Sequence, residues 1–169
     1  MDLREFLALP DEAQLWIYGF KSPLDPVQKR TISDRLQGFL GSWSSHGRSV
    51  QGAFAFSEDQ FVLLAGWLAD GISGCSVDES VRQFRALQAE ENIDGMDRSL
   101  IYFRGSDSKI RAVPFTTFQA ILDSGEATLD TFVLDTTIQS LRELRKGTFE
   151  VPLRNCWHAR RFRIPEAAR

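Results

Sequence analysis

The sequence predicts an α+β fold of the ferredoxin-like kind, a βαββαβ core with two helices on one face of an antiparallel sheet. Three observations predict it. Strand-like and helix-like stretches alternate in that order through the first two thirds of the chain. Asp25 and Pro26 follow the first strand-like stretch as a helix N-cap and a first helical residue. Residues 61–68 form an unbroken apolar run, as a central strand covered on both faces requires.

Each element has its own signal. Residues 15–20, rich in aromatic and β-branched side chains, read as the first strand. Ser22 and Pro23 turn the chain. Ile32, Leu36, Phe39, Leu40 and Trp43 recur at helical spacing, so the first helix runs to about Ser44 and stops before Gly47. Val50, Gly52, Phe54 and Phe56 share one face of a second strand, and residues 57–60 have the composition of a hairpin turn. The apolar run is the third strand. Val77, Val81, Phe84 and Leu87 mark a second helix that ends near Asn92. Residues 100–103 are the fourth strand, turned through 104–108 into a partner at 109–113.

The remainder is less regular. A short helix over 115–122, a strand over 131–134, a helical stretch over 138–146 and an extended piece over 149–151 are expected. A chain of 169 residues is most economically one domain, 1–169. Its ferredoxin-like core covers about 14–104, and a C-terminal extension over about 105–169 packs on it.

Composition excludes several function classes. Hydrophobic residues make up 43% and charged residues 25%, ordinary values for a soluble globular protein. No apolar stretch approaches the roughly 20 residues of a membrane helix, so no membrane partner is expected. The first residues lack the apolar core of a signal peptide. Two cysteines, Cys75 and Cys156, are too few for a disulfide framework, which points to reduced thiols in a cytoplasmic protein. A net charge of −3 argues against nucleic acid as a partner, although the charge is uneven. Residues 154–169 hold five Arg and one Glu, so the tail is +4 and the rest −7. Such a tail can contact phosphate. It can equally dock on its own acidic body, and Trp157, Phe162 and Ile164 between the arginines favour docking.

The segment 71–79 carries the clearest site candidate. It sets Cys75 on a glycine-flanked turn, and Ser76 with Glu79 has the spacing of a capping box. A helix starting there would place Cys75 beside the positive end of a macrodipole, where a thiolate is favoured. In a ferredoxin-like topology the loop of His46 lies at the same sheet rim as the loop of Cys75. Cys75 would then be the nucleophile and His46 its base, with backbone N–H groups for an oxyanion. Asp78 would orient the histidine, or serve only as a first-turn partner of the dipole. Ser73, Gly74, Ser76, His158 and Arg160 complete the set as candidate ligand contacts.

Each candidate also has a plain structural reading. A small cysteine packs well between tight turns. His46 with Gly47 can end a helix. His158 can pin the tail as a half-buried ring. Cys75, His46, His158 and Cys156 offer zinc-type ligands, yet no C-x-x-C or H-x-x-x-H pair occurs. No metal and no cofactor is expected.

Four segments together resemble a small uncharacterised bacterial family, of Bacteroidetes-type genomes, whose members often carry the label "ABC transporter ATPase". They are Leu15-Trp16-Ile17-Tyr18, then Trp43-Ser44-Ser45-His46-Gly47, then Ser73 to Asp78 with Ser80, and Val151-Pro152-Leu153 leading to Trp157-His158-Ala159-Arg160. The resemblance spans nearly the whole chain and carries position without mechanism. It implies serine where this chain has Cys156, which ranks Cys156 below Cys75. The transporter label does not suit the residues. A P-loop needs G-x-x-x-x-G-K-[ST], and no glycine here precedes Lys-Ser or Lys-Thr.

Two functions fit these observations. One is a cysteine-centred pocket for a small ligand or for thiol chemistry. The other is a non-enzymatic interaction or self-assembly module, using the sheet or the Arg-rich tail to bind a protein partner or a second copy.

Overall fold

The computed structural model describes residues 3–168. The described residues form an α+β protein with 38% helix, 25% strand and three antiparallel sheets. In chain order the elements are α1 (Leu3–Ala8), β1 (Gln14–Gly19), α2 (Pro26–Ser42), β2 (Ser44–Ser45), β3 (Arg48–Ser49), β4 (Gln51–Ser57), β5 (Phe61–Trp67) and α3 (Gly74–Glu91). Then come β6 (Leu100–Arg104), β7 (Ile110–Pro114), α4 (Phe115–Asp123), β8 (Phe132–Leu134), α5 (Leu141–Arg145) and β9 (Glu150–Pro152). Three 3₁₀ turns follow, at Leu153–Asn155, Trp157–Arg161 and Glu166–Ala168.

The first sheet has the order β1-β5-β4, with β5 antiparallel to both neighbours. β1 and β4 are therefore parallel and separated by one strand, with α2 crossing between them. That is a split β-α-β unit. The fourth strand departs from the ferredoxin-like order. β6 does not pair with β1 but sits inside a second sheet, β7-β6-β8-β9. Its residues explain this placement. Leu100, Ile101, Tyr102 and Phe103 are all buried, so both faces need covering and both edges need backbone partners. β7 and β8 supply the edges.

Side-chain alternation sorts the interior into layers. From the first sheet, Tyr18, Phe54, Val62 and Leu64 face α2 and α3, packing on Ile32, Leu36, Phe39, Phe84 and Leu87. On its other face Leu15, Ile17, Phe61 and Leu63 meet Tyr102 and Leu134 of the second sheet. Ile101, Phe103 and Val133 point away from that seam, toward Phe118 and Leu122 of α4 and the tail. The order of layers is helix, sheet, sheet, helix. Each buried Leu, Ile or Phe at these seams contributes about 1.5–3 kcal/mol relative to exposure.

Local chemistry sets the helix ends that matter for the site. Asp25 caps α2 as expected and forms a full capping box with Gln28. The expected Ser76–Glu79 capping box is not the one that forms. Ser73 is the N-cap of α3, and Ser76 Oγ is committed to the Ser44 carbonyl at 2.7 Å. α2 also ends earlier than expected, at Ser42. His46 is therefore no helix cap. It forms with Gly47 the two-residue turn between β2 and β3, at φ 51° and 75°. A turn of that kind needs positive φ at both residues. The buried Trp43 ring fills the space between α2 and the first sheet. A Cβ on Gly66 would lie 2.4 Å from it, so only glycine fits there.

Candidate functional site

The loops around His46 and Cys75 do meet. Ser73 N donates to Ser45 Oγ at 2.9 Å, and Trp43 Nε1 donates to the Ser76 carbonyl at 3.0 Å. The side chains do not assemble into a nucleophilic site. Cys75 lies inside the first turn of α3, and its side chain is exposed. It shares a shallow groove with Asp78, Arg82 and Arg85 on the outer face of the helix. His46 is exposed at the tip of its hairpin, and no hydrogen bond joins it to Cys75 among the described residues. Because α3 begins at Gly74, Asp78 falls in its second turn rather than its first. Ser73 and Ser76 are occupied by the cap and by Ser44. Gly74 stands in open space.

The second cysteine is built into a different arrangement. The chain leaves β9 through Pro152, and Cys156 adopts an extended conformation between two 3₁₀ turns. That backbone lets side chains two positions apart meet, which an α-helix would not. Cys156 Sγ lies 2.9 Å from His158 Nδ1, and both side chains are buried. The Trp157 ring stacks on His158 with centroids 3.9 Å apart. Asp135 joins the group. Its carboxylate accepts from Thr137 N at 2.9 Å and from Trp157 Nε1 at 3.2 Å, and its second oxygen lies 3.9 Å from Cys156 Sγ. Sequence reasoning missed Asp135 and ranked Cys156 low. The available signal was the Asp-x-Thr spacing of an Asx turn at 135–137.

Electrostatics makes this pair neutral. Burial pushes the Cys156 thiol up to about 11, and the Asp135 charge adds to that rise. Burial holds His158 below its ordinary value, partly opposed by Asp135. At neutral pH a thiol faces an imidazole, not a thiolate an imidazolium. The geometry points the same way. A catalytic triad puts the acid beyond the imidazole, on its other nitrogen. Here Asp135 stands on the sulfur side. With Nδ1 against the thiol, Nε2 is the nitrogen left for another partner. Among the described residues, no group of three or more His, Cys, Asp or Glu side chains is placed to hold a metal ion.

His158 also forms part of the wall of a cleft of about 370 Å³. The cleft runs along the outer edge of β1 and is bounded by Trp16, Ile17, Arg98, Thr137 and Trp157 as well as His158. Its position follows from the strand order. Residues 139–141 pair with the start of β1, through Leu15 N to the Gln139 carbonyl and a Gln14–Ser140 bridge. Beyond Leu15 the edge has no strand beside it among the described residues, because β6 belongs to the other sheet.

The tail closes this region by docking on its own fold, as its interleaved apolar residues favour. Phe162 packs on Phe115 and Phe118, Arg163 pairs with Asp123, and Arg154 pairs with Asp130. Arg160 is exposed in the 3₁₀ turn Trp157–Arg161. No described helix is long and apolar enough to cross a membrane. Comparison with protein-family models, with curated proteins and with solved structures finds no match for this chain.

Proposed function

We propose that this protein binds a small organic ligand in the cleft beside β1, with His158 on the wall and the Cys156 thiol holding that ring in place. One observation carries the reading. A concave site of about 370 Å³ lies where the edge of one sheet, the rim of the other and the tail converge, with a buried, hydrogen-bonded Cys–His pair at its side. Its volume falls in the range of small-molecule sites, and it combines aromatic walls with a few polar groups, as such sites do. The neutral state of the thiol favours binding over nucleophilic attack.

Two coarser expectations belong to the same reading. We read β1, α2, β4, β5 and α3 as a ferredoxin-like arrangement without its fourth strand, and the cleft as the position that strand leaves vacant; the strand order β1-β5-β4 supports this reading. The resemblance to the bacterial family without a P-loop, together with two unbridged cysteines, supports a cytoplasmic bacterial protein.

The test is amide mapping by NMR with three planar probes: indole, benzamide and benzoate. Binding of at least one probe should shift the amides of Ile17, Ser99, Thr137 and His158, and leave those of residues 74–85 unmoved. Shifts confined to the α3 groove, or none with any probe, would sink the reading.

A further inference from the structure

The cleft presents a backbone donor and an unpaired cation side by side, which selects the chemistry of what it takes. In an antiparallel strand, alternate residues turn both backbone groups toward the same edge. Leu15 N bonds the Gln139 carbonyl, so the odd-numbered residues of β1 face away from β5. Ile17 therefore turns its N–H and its carbonyl toward the cleft. The carbonyl accepts from Arg98 Nη1 at 3.1 Å. The Ile17 N–H has no partner among the described residues, and a donor left unsatisfied at a buried residue is uncommon.

Arg98 is the second half of the arrangement. It is exposed at the cleft mouth, tethered to Ile17, and its guanidinium lies 5.5 Å from the Tyr18 ring centre. Among the described residues no carboxylate forms an ion pair with it. Its acidic neighbours are otherwise engaged: Asp97 accepts from Ser99 N and Ser99 Oγ, and Asp94 accepts from Met96 N. An arginine with four of its five donors unassigned, beside a free backbone N–H, is a pair suited to one group with two acceptor oxygens and a negative charge.

Resting on the cleft reading, we propose that the ligand is an apolar molecule ending in a carboxylate, one oxygen accepting from Ile17 N–H and the charge held by Arg98. Trp16 and Trp157 then flank its apolar body, and His158, Thr137 and Ser99 offer further polar contacts on the wall. A free aromatic acid and the C-terminus of a peptide chain share this chemistry. The test separates them.

Benzoate, its neutral isostere benzamide, and acetyl-Ala-Phe with a free or an amidated C-terminus are titrated into the 15N-labelled protein. Benzoate should bind about tenfold or more tightly than benzamide and move the Ile17 amide farther downfield. Arg98→Gln should remove that preference, and Arg98→Lys should restore part of it. If the free-acid dipeptide outbinds both benzoate and its own amidated form, the source is a chain terminus. If benzoate outbinds it, the source is a free acid. Both results support the carboxylate. An amidated form that binds as well as the free acid overturns the carboxylate. Equal binding of benzoate and benzamide within the cleft overturns the carboxylate and leaves the cleft reading intact. No probe entering the cleft overturns the cleft reading itself. Melting temperatures of both Arg98 variants keep loss of preference distinct from loss of fold.

Discussion

The two cysteines stand in opposite physical situations. Cys75 occupies the first turn of a long helix and faces solvent. Cys156 is sealed between 3₁₀ turns, against a histidine and near an aspartate. By exposure alone the first has the setting of a reactive thiol and the second the setting of a packed one. The partners reverse their interest. Cys75 has a shallow helix-face groove and no histidine bonded to it, whereas Cys156 orders the ring that faces a cleft. Exposure makes a thiol accessible. Directed neighbours make a site.

The largest expected effect is in reactivity. Iodoacetamide acts on the thiolate, and a thiol pushed up to about 11 holds far less of it at pH 8 than a free thiol near 8.5. Cys75 should be alkylated about two orders of magnitude faster than Cys156, as read by mass spectrometry of the two cysteine peptides over time. Comparable rates would mean that the Cys156 region opens freely, and the contrast between the two cysteines would collapse.

Removing each sulfur sharpens the comparison in stability. Cys156→Ala leaves His158 Nδ1 buried without a partner and should cost about 1–3 kcal/mol in urea unfolding. Cys75→Ala, at an exposed position, should stay within about 0.5 kcal/mol. The pH dependence follows from the same pair. Above about 8.5 the unfolded chain loses the Cys156 proton while the folded chain keeps it until about 11, so stability falls across that window. Below about 6.5 the unfolded chain takes up a proton that folded His158 resists, so stability falls again as the solution becomes more acidic. Cys156→Ser should flatten the alkaline limb, and His158→Gln the acid limb. An alkaline limb unchanged in Cys156→Ser would show that the thiol is not the titrating group.

Much of the fold was legible because most strands and both long helices carry their own signals. The alternation from residue 50 to 56, the apolar run at 61–68 and the helical spacing from Ile32 to Trp43 needed no tertiary information. The partner of β6 did. Leu100 to Phe103 is apolar on both faces, which tells that the strand is covered but not by what. A second sheet over β7, β8 and β9 and a position beside β1 both satisfy that demand. The site was harder to read for a related reason. Cys-x-His makes no contact on an α-helix, and only the extended conformation of Cys156 brings its sulfur to His158. Asp135 arrives from 21 positions away through the pairing of β8 with β9. Spacing rules do not register a contact made by a strand ladder. Cys75 stood out because glycines and cap residues leave a local mark, and a local mark says where a helix begins, not what its first turn touches.

The smallest expected effect concerns that helix start. Ser73→Ala removes the acceptor for Ser76 N and should cost about 1 kcal/mol. Glu79→Ala should cost less than about 0.5 kcal/mol, because its side chain is not needed to close a capping box. The two variants also report on Cys75. Loss of the Ser73 cap frays the first turn of α3, which exposes the Cys75 sulfur further. Alkylation of Cys75 in Ser73→Ala should therefore run at least as fast as in the parent protein, read by mass spectrometry of the Cys75 peptide. A slower rate would mean that the ordered first turn, and not exposure alone, sets the reactivity of this sulfur, and the contrast drawn between the two cysteines would have to be redrawn around the helix start.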